Sequence, residues 1–384
     1  MELLRAIIRV NLFSPAPQTA PGPGRTRAAG RRGRGGAGLQ TDTASDGARD
    51  GASSRWCHAP FTAVLQGFAI MQRHRVAGMT EMALIRMNAW GAAARDHDTG
   101  ASPAEALAPV LKRDAPIIVM VHGFRYAPGR PAHCPHAHIF RAPDDTAQAT
   151  PSWPAALGIH GGQGGASGLA FGWQARGSIW QAHAGAEVAG VALARVLRAI
   201  QRRDPGREVH AIGHSLGARV ILTAMRHLPV GALSRVILLA AADHASTART
   251  ALDSRAGRQA RLLHVTSGEN GAYDLALHNL IPRRHAGDAI LGRVDLPGLA
   301  TLRLDDPAHL SGLAAIGHPV AAPERRICHW STYLRPGAFA LYAALLGPRG
   351  ATLHAEVSRL TQPKAAPARA AAWSLPLPWG ANAS

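Results

Sequence analysis

The chain has 384 residues, with 42 Lys and Arg against 24 Asp and Glu, a formal net charge of +18, and 47% of its residues are apolar. That length and apolar content supply one large core or two ordinary ones, and no apolar stretch of about eighteen residues escapes a charge, Gly or Pro, which excludes a plain membrane-spanning helix. Three cysteines (Cys57, Cys134, Cys328) are too few for a disulfide framework and suit a reducing, cytoplasmic compartment.

The positive balance does not read as a nucleic-acid surface. Only Lys112 and Lys364 are lysines, and a chain rich in Arg, Ala, Gly and Pro carries the mark of GC-rich coding. The Lys- and aromatic-studded surface of many single-strand binders is missing. Residues 1–80 alone, with 11 Arg against 4 acids, hold +7 of the total.

In chain order, residues 1–81 read as a disordered Arg/Gly/Pro-rich extension, because Ser14 to Gly38 has almost nothing apolar to set against its ordering entropy. Met1 to Phe13 is interrupted by Arg5 and Arg9 and opens with Glu2, a poor secretory signal. Met82 begins a strand-like run and offers an alternative translation start, in which case the extension is not translated. From there strands and helices alternate. Ala115 to Val121 is a continuous apolar run that suits a strand buried on both faces. Gly168 to Trp173 is a weaker strand. Gln181 to Arg202 has helical apolar spacing and a basic last turn before Asp204-Pro205-Gly206. Glu208 to Gly213 is a strand, Leu216 to Leu228 a helix, Arg235 to Ala242 and Arg261 to Thr266 further strands, and Trp330 to Leu346 a final helix stopped by Gly347-Pro348. This rhythm predicts an α/β fold, a mostly parallel central sheet with helices on both faces, over residues 82–348. Residues 349–384 read as a low-complexity tail.

The sharpest chemical signal is Gly213-His214-Ser215-Leu216-Gly217, at the junction of a strand and a helix. A serine there sits on a strained turn with its Oγ exposed, and positions two before and two after must be glycine to avoid collision. The helix after it aims its N-terminal dipole at the site. The second signal is Val121-His122-Gly123-Phe124, at the carboxyl edge of a strand, where open α/β sheets bind ligands. With Gly123 as hinge, the Phe124 N–H can join the Leu216 N–H as an oxyanion hole, and His122 reads as a structural hydrogen-bonding residue.

These elements, with Phe171-Gly172-Trp173 before the serine strand, resemble the α/β-hydrolase superfamily, and more narrowly its uncharacterised bacterial esterase- or lipase-like serine hydrolases. The resemblance covers roughly residues 82–346. It implies a triad in the chain order serine, acid, histidine. Ser215 is then the nucleophile. The histidine that the family carries after the last strand falls on His329, with His318 as runner-up, while His264 reads as a buried, paired residue of its strand. The acid falls in the loop after Arg261 to Thr266, as Asp274 or else Glu269, with Asp243 as a third option and helix N-caps as the competing role for Asp274 and Asp243.

Two further segments bear on the site. His133-Cys134-Pro135-His136-Ala137-His138 holds metal-ligand residue types but no second group to complete a tetrahedral site. Arg125 to Gln163 lacks periodicity and is expected to form a lid or pocket wall, and Leu275 to Arg326 reads as a second pocket-shaping insertion. The expectation is a carboxylic-ester hydrolase needing no cofactor and no metal. Its substrate is a small-molecule acyl compound, with no nucleic-acid partner and no stable membrane insertion, and nothing specifies an oligomeric state. The alternatives are a hydrolase-like binding protein without turnover, and acyl transfer or amide cleavage on the same triad.

Overall fold

The computed structural model describes residues 84–142, 150–159 and 165–362. The expected extension, residues 1–81, and most of the expected tail lie outside them. Among the described residues, eight strands form one sheet: β1 (Leu84–Trp90), β2 (Ala93–Asp96), β3 (Ile117–Val121), β4 (Ser167–Gly172), β5 (Val209–His214), β6 (Arg235–Leu239), β7 (Arg261–Thr266) and β8 (Ala300–Arg303). Their spatial order is β2-β1-β4-β3-β5-β6-β7-β8. Only the β1–β2 hairpin is antiparallel; every other neighbouring pair is parallel.

The helices are α1 (Pro103–Ala106), α2 (Ala108–Leu111), α3 (Trp153–Ala156), α4 (Ile179–Arg203), α5 (Leu216–Arg226), α6 (Ala245–Leu252), α7 (Gly271–Leu280), α8 (Pro307–Ala315), α9 (Ser331–Leu334), α10 (Ala338–Leu346) and α11 (Gly350–Leu360). None of them is long and apolar enough to cross a membrane.

The central strands are hydrophobic on both faces because both faces are covered. In β3, Ile117, Val119 and Val121 enter one core with Leu193 and Leu197 of α4 and Val220 and Ile221 of α5. Ile118 and Met120 enter the other, with Leu263, Leu302, Tyr342 and Leu345. This is the two-faced burial that parallel sheets require. Helix α4 starts on a capping box, Ser178 with Gln181. It lies close to α5: a Cβ at Gly190 would stand 2.5 Å from the Thr223 Cβ.

The structure corrects three expectations and adds two short strands. The final helix is broken into α9 and α10 at Arg335-Pro336-Gly337, where Gly337 has φ 86° and a Cβ would collide with the Pro319 carbonyl. Part of the expected tail is α11, which buries Leu353 and Val357, one turn apart, so the folded domain runs past residue 348. Strands β2 and β8, four residues each, are too short to leave a periodic signal. His264 is buried in β7, but neither ring nitrogen finds a hydrogen-bond partner, and burial lowers its pKa to about 3.

Candidate active site

Ser215 is the single residue between β5 and α5, with φ 57° and ψ −123°. A side chain in that region of backbone space is strained, by an order of 1–3 kcal/mol. The surroundings enforce it. Ser215 N–H donates to the Leu239 carbonyl at 2.9 Å, and the Ser215 carbonyl accepts from Ala242 N–H at 3.2 Å. The glycines allow the turn to close. A Cβ on Gly217 would lie 2.4 Å from the Val121 carbonyl oxygen, and one on Gly213 would lie 2.6 Å from Ile221 Cδ1. A Cβ on Gly123 would meet Ser215 Cβ at 2.8 Å, so the loop after β3 comes directly against the serine.

That loop is braced by His122. The ring is fully buried and lies parallel to the Trp173 indole, with centroids 5.6 Å apart. Its Nδ1–H donates to the Gly123 carbonyl at 2.8 Å, and its Nε2 accepts from Trp173 N–H at 3.0 Å. Trp173 Nε1–H returns a bond to the His122 carbonyl at 2.9 Å. Both ring nitrogens are committed, and burial lowers the pKa to about 3, so His122 is a neutral strut between the ends of β3 and β4. Phe124 and Leu216, the two residues expected to supply oxyanion donors, both line the cavity above Ser215. No described residue accepts a hydrogen bond from either amide.

His329 enters the same cavity on the loop before α9. Its backbone is clamped from two sides: His214 Nε2–H donates to the His329 carbonyl at 2.9 Å, and Cys328 N–H donates to the Glu269 carbonyl at 3.0 Å. Tyr273 stacks on the ring with centroids 4.5 Å apart, and the His214 ring lies at the same distance. Burial, helped by His214, holds the His329 pKa well below the usual histidine range. The imidazole is therefore neutral at neutral pH. No hydrogen bond joins its ring to Ser215 Oγ in this arrangement. His318 lies away from this cavity, beside Ile316 and Glu356.

The three carboxylates weighed as the acid go to different places, and none hydrogen-bonds the His329 ring. Glu269 is buried against Arg335 and accepts from Ser267 Oγ at 3.2 Å. Asp243 takes both of its oxygens to Arg219 Nη1, at 2.9 and 2.8 Å, and accepts His244 N–H at 2.7 Å. Asp274 is nearest in role but one residue removed. His329 Nδ1 lies 2.7 Å from Asn270 Oδ1, and Asn270 Nδ2 donates to Asp274 Oδ1 at 2.8 Å. Burial raises the Asp274 pKa to about 6, against the opposing pull of Arg293 and of the Asn270 bond. Asn270 is the residue that sequence reasoning missed. Its signal is positional: it stands four residues before Asp274 at the mouth of a helix, where side chains at that spacing meet.

The cavity is narrow, about 90 Å³, and open to solvent on one side. Its walls are mostly apolar, with Ile139, Ile179, Leu277 and Leu280, and three of the chain's four tyrosines, Tyr126, Tyr273 and Tyr333, line it. The Arg125–Gln163 segment contributes Tyr126 and Ile139 to the wall and anchors itself through the buried Trp153, packed edge-on against Tyr333 and Phe339.

Among the described residues, one trio of metal-ligand types converges: His183, Asp243 and His244. It does not fit a divalent cation, because Arg219 already occupies both oxygens of Asp243 and would face the ion. In the His133–His138 loop, His136 Nε2 bonds Asn88 Oδ1 at 2.8 Å and Cys134 Sγ lies 3.9 Å from His97 Nε2, so these side chains brace the loop against β1 and β2.

Residues 101–270 match the family described as alpha/beta hydrolase of unknown function (DUF900), a span that holds the β3 loop, the Ser215 turn and Asn270. No curated protein matches the chain. The family match and the eight-stranded, mostly parallel sheet with helices on both faces give the chain an α/β-hydrolase fold.

Proposed function

We propose that the protein is a serine hydrolase of carboxylic esters, with Ser215 as nucleophile and His329 as general base. The observation that carries this reading is the strained φ of Ser215, imposed by three glycine contacts, in a cavity that also receives a neutral histidine ring. Strain of that kind is retained where a hydroxyl must be presented.

In the reaction, Ser215 Oγ attacks the acyl carbonyl and its proton passes to His329 Nε2. The negative charge on the carbonyl oxygen is met by the Phe124 and Leu216 amides and the N-terminal end of α5. Each such donor contributes about 3 kcal/mol to the transition state in enzymes of this kind. Collapse expels the alkoxide, which takes the proton from the imidazolium. Water, deprotonated by the same imidazole, then releases the acid and restores Ser215. No cofactor enters. The apolar cavity wall suits an uncharged acyl group.

The absence of a Ser215–His329 hydrogen bond favours one competing reading, a binding protein without turnover. Incubation of the folded protein with a fluorophosphonate probe separates the two. The expected result is labelling at Ser215, lost in Ser215→Ala. Wild-type protein that stays unlabelled and inert toward p-nitrophenyl esters would remove the enzyme reading. A parallel set of amide substrates distinguishes esterase from amidase action.

A further inference from the structure

The third position of the catalytic chain is filled here by an amide. We propose that Asn270 takes the place of the triad carboxylate and that Asp274 works through it, fixing which end of the amide faces His329. The inference rests on the serine-hydrolase reading above.

The geometry is a two-step relay. His329 Nδ1 to Asn270 Oδ1 is 2.7 Å, and Asn270 Nδ2 to Asp274 Oδ1 is 2.8 Å. Asn270 and Asp274 are buried, 2% and 5% exposed, and His329 is half-buried at the cavity wall. Gly292 makes room for the carboxylate: a Cβ there would stand 2.7 Å from Asp274 Oδ2. The neighbouring Arg293 reaches past it to the Gly271 carbonyl at 3.0 Å, which ties the same stretch of chain to the start of α7.

The chemistry of the donors decides the rest. An asparagine beside a catalytic histidine is normally a poor substitute for aspartate, because it can present its NH2 to Nδ1 and force the proton onto Nε2. The imidazole is then in the wrong tautomer to act as a base, and in the serine proteases that change lowers the rate by about 10⁴. Asp274 prevents it. An ionised carboxylate only accepts hydrogen bonds, so the NH2 of Asn270 must face Asp274 and the Oδ1 must face His329. Nδ1 is thereby held as the donor and Nε2 keeps its lone pair for the serine proton. Asp274 never touches the ring; it is a positioning residue, as is Asn270. The other groups facing the ring are His214 from β5, Tyr273 from α7 and Trp330 from its own loop.

The test exchanges the two side chains. In Asn270→Ala the ring loses its tether, and the rate of fluorophosphonate labelling at Ser215 and kcat/KM on p-nitrophenyl butyrate both fall by about 10²–10³. In the double variant Asn270→Asp/Asp274→Asn, a carboxylate meets Nδ1–H directly while the amide moved to position 274 donates to that carboxylate. Labelling then recovers to within about tenfold of wild type, and the acid limb of the kcat/KM profile moves up by about one pH unit as the imidazolium gains a charged partner. A role in packing alone would not move that limb. Circular dichroism confirms that each variant is folded. The proposal is overturned if folded Asn270→Ala labels within about threefold of wild type, or if the folded exchange variant stays as slow as Asn270→Ala. Failure of wild type to label at all defeats the hydrolase reading itself, which is a separate outcome.

Discussion

At the scale of single residues, Asp274 carries a consequence for stability. Its carboxyl has an ordinary value of 3.8 and is raised to about 6 in the fold, chiefly by burial. As pH rises from about 4 to 6, the unfolded chain releases this proton before the folded protein does, so folding stability falls across that window and stays lower above it. A rise of that size in a carboxyl's pKa corresponds to about 3 kcal/mol. Asp274→Asn removes the buried charge yet can still accept from Asn270. Chemical denaturation should find Asp274→Asn more stable than wild type at pH 8, by an amount of about 2–3 kcal/mol, and equal to it at pH 3. A variant less stable than wild type at pH 8 would mean that burial does not set this carboxyl's charge. The sequence exposes Asp274 but not its role. A search for a triad acid weighs carboxylates, and the amide of Asn270 carries no charge to draw attention. Asp243 and Glu269 are equally visible as acids, yet each is satisfied by a buried arginine, Arg219 and Arg335, which lie 24 residues before the one and 66 residues after the other. Pairings over such distances leave no local pattern to read.

At the scale of elements, the turn from β5 to α5 is legible because sterics act locally. Two glycines flank a serine where a strand ends and a helix begins, and few backbones other than this one need them there. The sequence withholds the partner: Gly217 is demanded by the end of β3, whose carbonyls at Val121 and His122 a Cβ would approach to 2.4 and 2.6 Å. Backbone atoms of a central strand cannot move aside as a flexible side chain can. Gly217→Ala should therefore lower stability by about 2–4 kcal/mol and slow Ser215 labelling as α5 is pushed off β3. Gly206→Ala, whose Cβ would meet nothing closer than Asp204 Oδ1 at 3.9 Å, is the matched control and should leave the melting temperature nearly unchanged. Equal melting temperatures for the two variants would show that the α5–β3 approach is not a constraint. The last helix illustrates the opposite case. Apolar residues on both sides of Arg335-Pro336-Gly337 keep a helical rhythm that masks the Pro-Gly break, while the backbone obeys it.

At the scale of the whole molecule, the alternation of strands and helices gives a parallel sheet but not the order of its strands. That β4 inserts between β1 and β3 depends on long crossovers with no sequence mark. The carboxyl edge of this sheet gathers the strained backbone. Among the described residues, the three non-glycine residues with positive φ are Arg125, Ser215 and Ala240, following β3, β5 and β6. The same global view moves the end of the domain. Helix α11 is hidden in the sequence because Ala and Pro dominate the residues beyond it, yet Leu353 and Val357 sit in the core that also holds Leu345 and Tyr342. Burying two such side chains contributes about 3–5 kcal/mol, a large part of the stability of an ordinary domain. A chain ending at Pro348 should thus unfold at markedly lower denaturant than one ending at Gln362. A chain running from Met82 to Gln362 keeps every strand and helix found among the described residues. It should match the full-length protein in denaturation midpoint and in Ser215 labelling rate. If the Pro348 chain proved as stable as the Gln362 chain, α11 would be an ornament on the surface. If the Met82–Gln362 chain failed to fold, the first 81 residues would be part of the hydrolase domain.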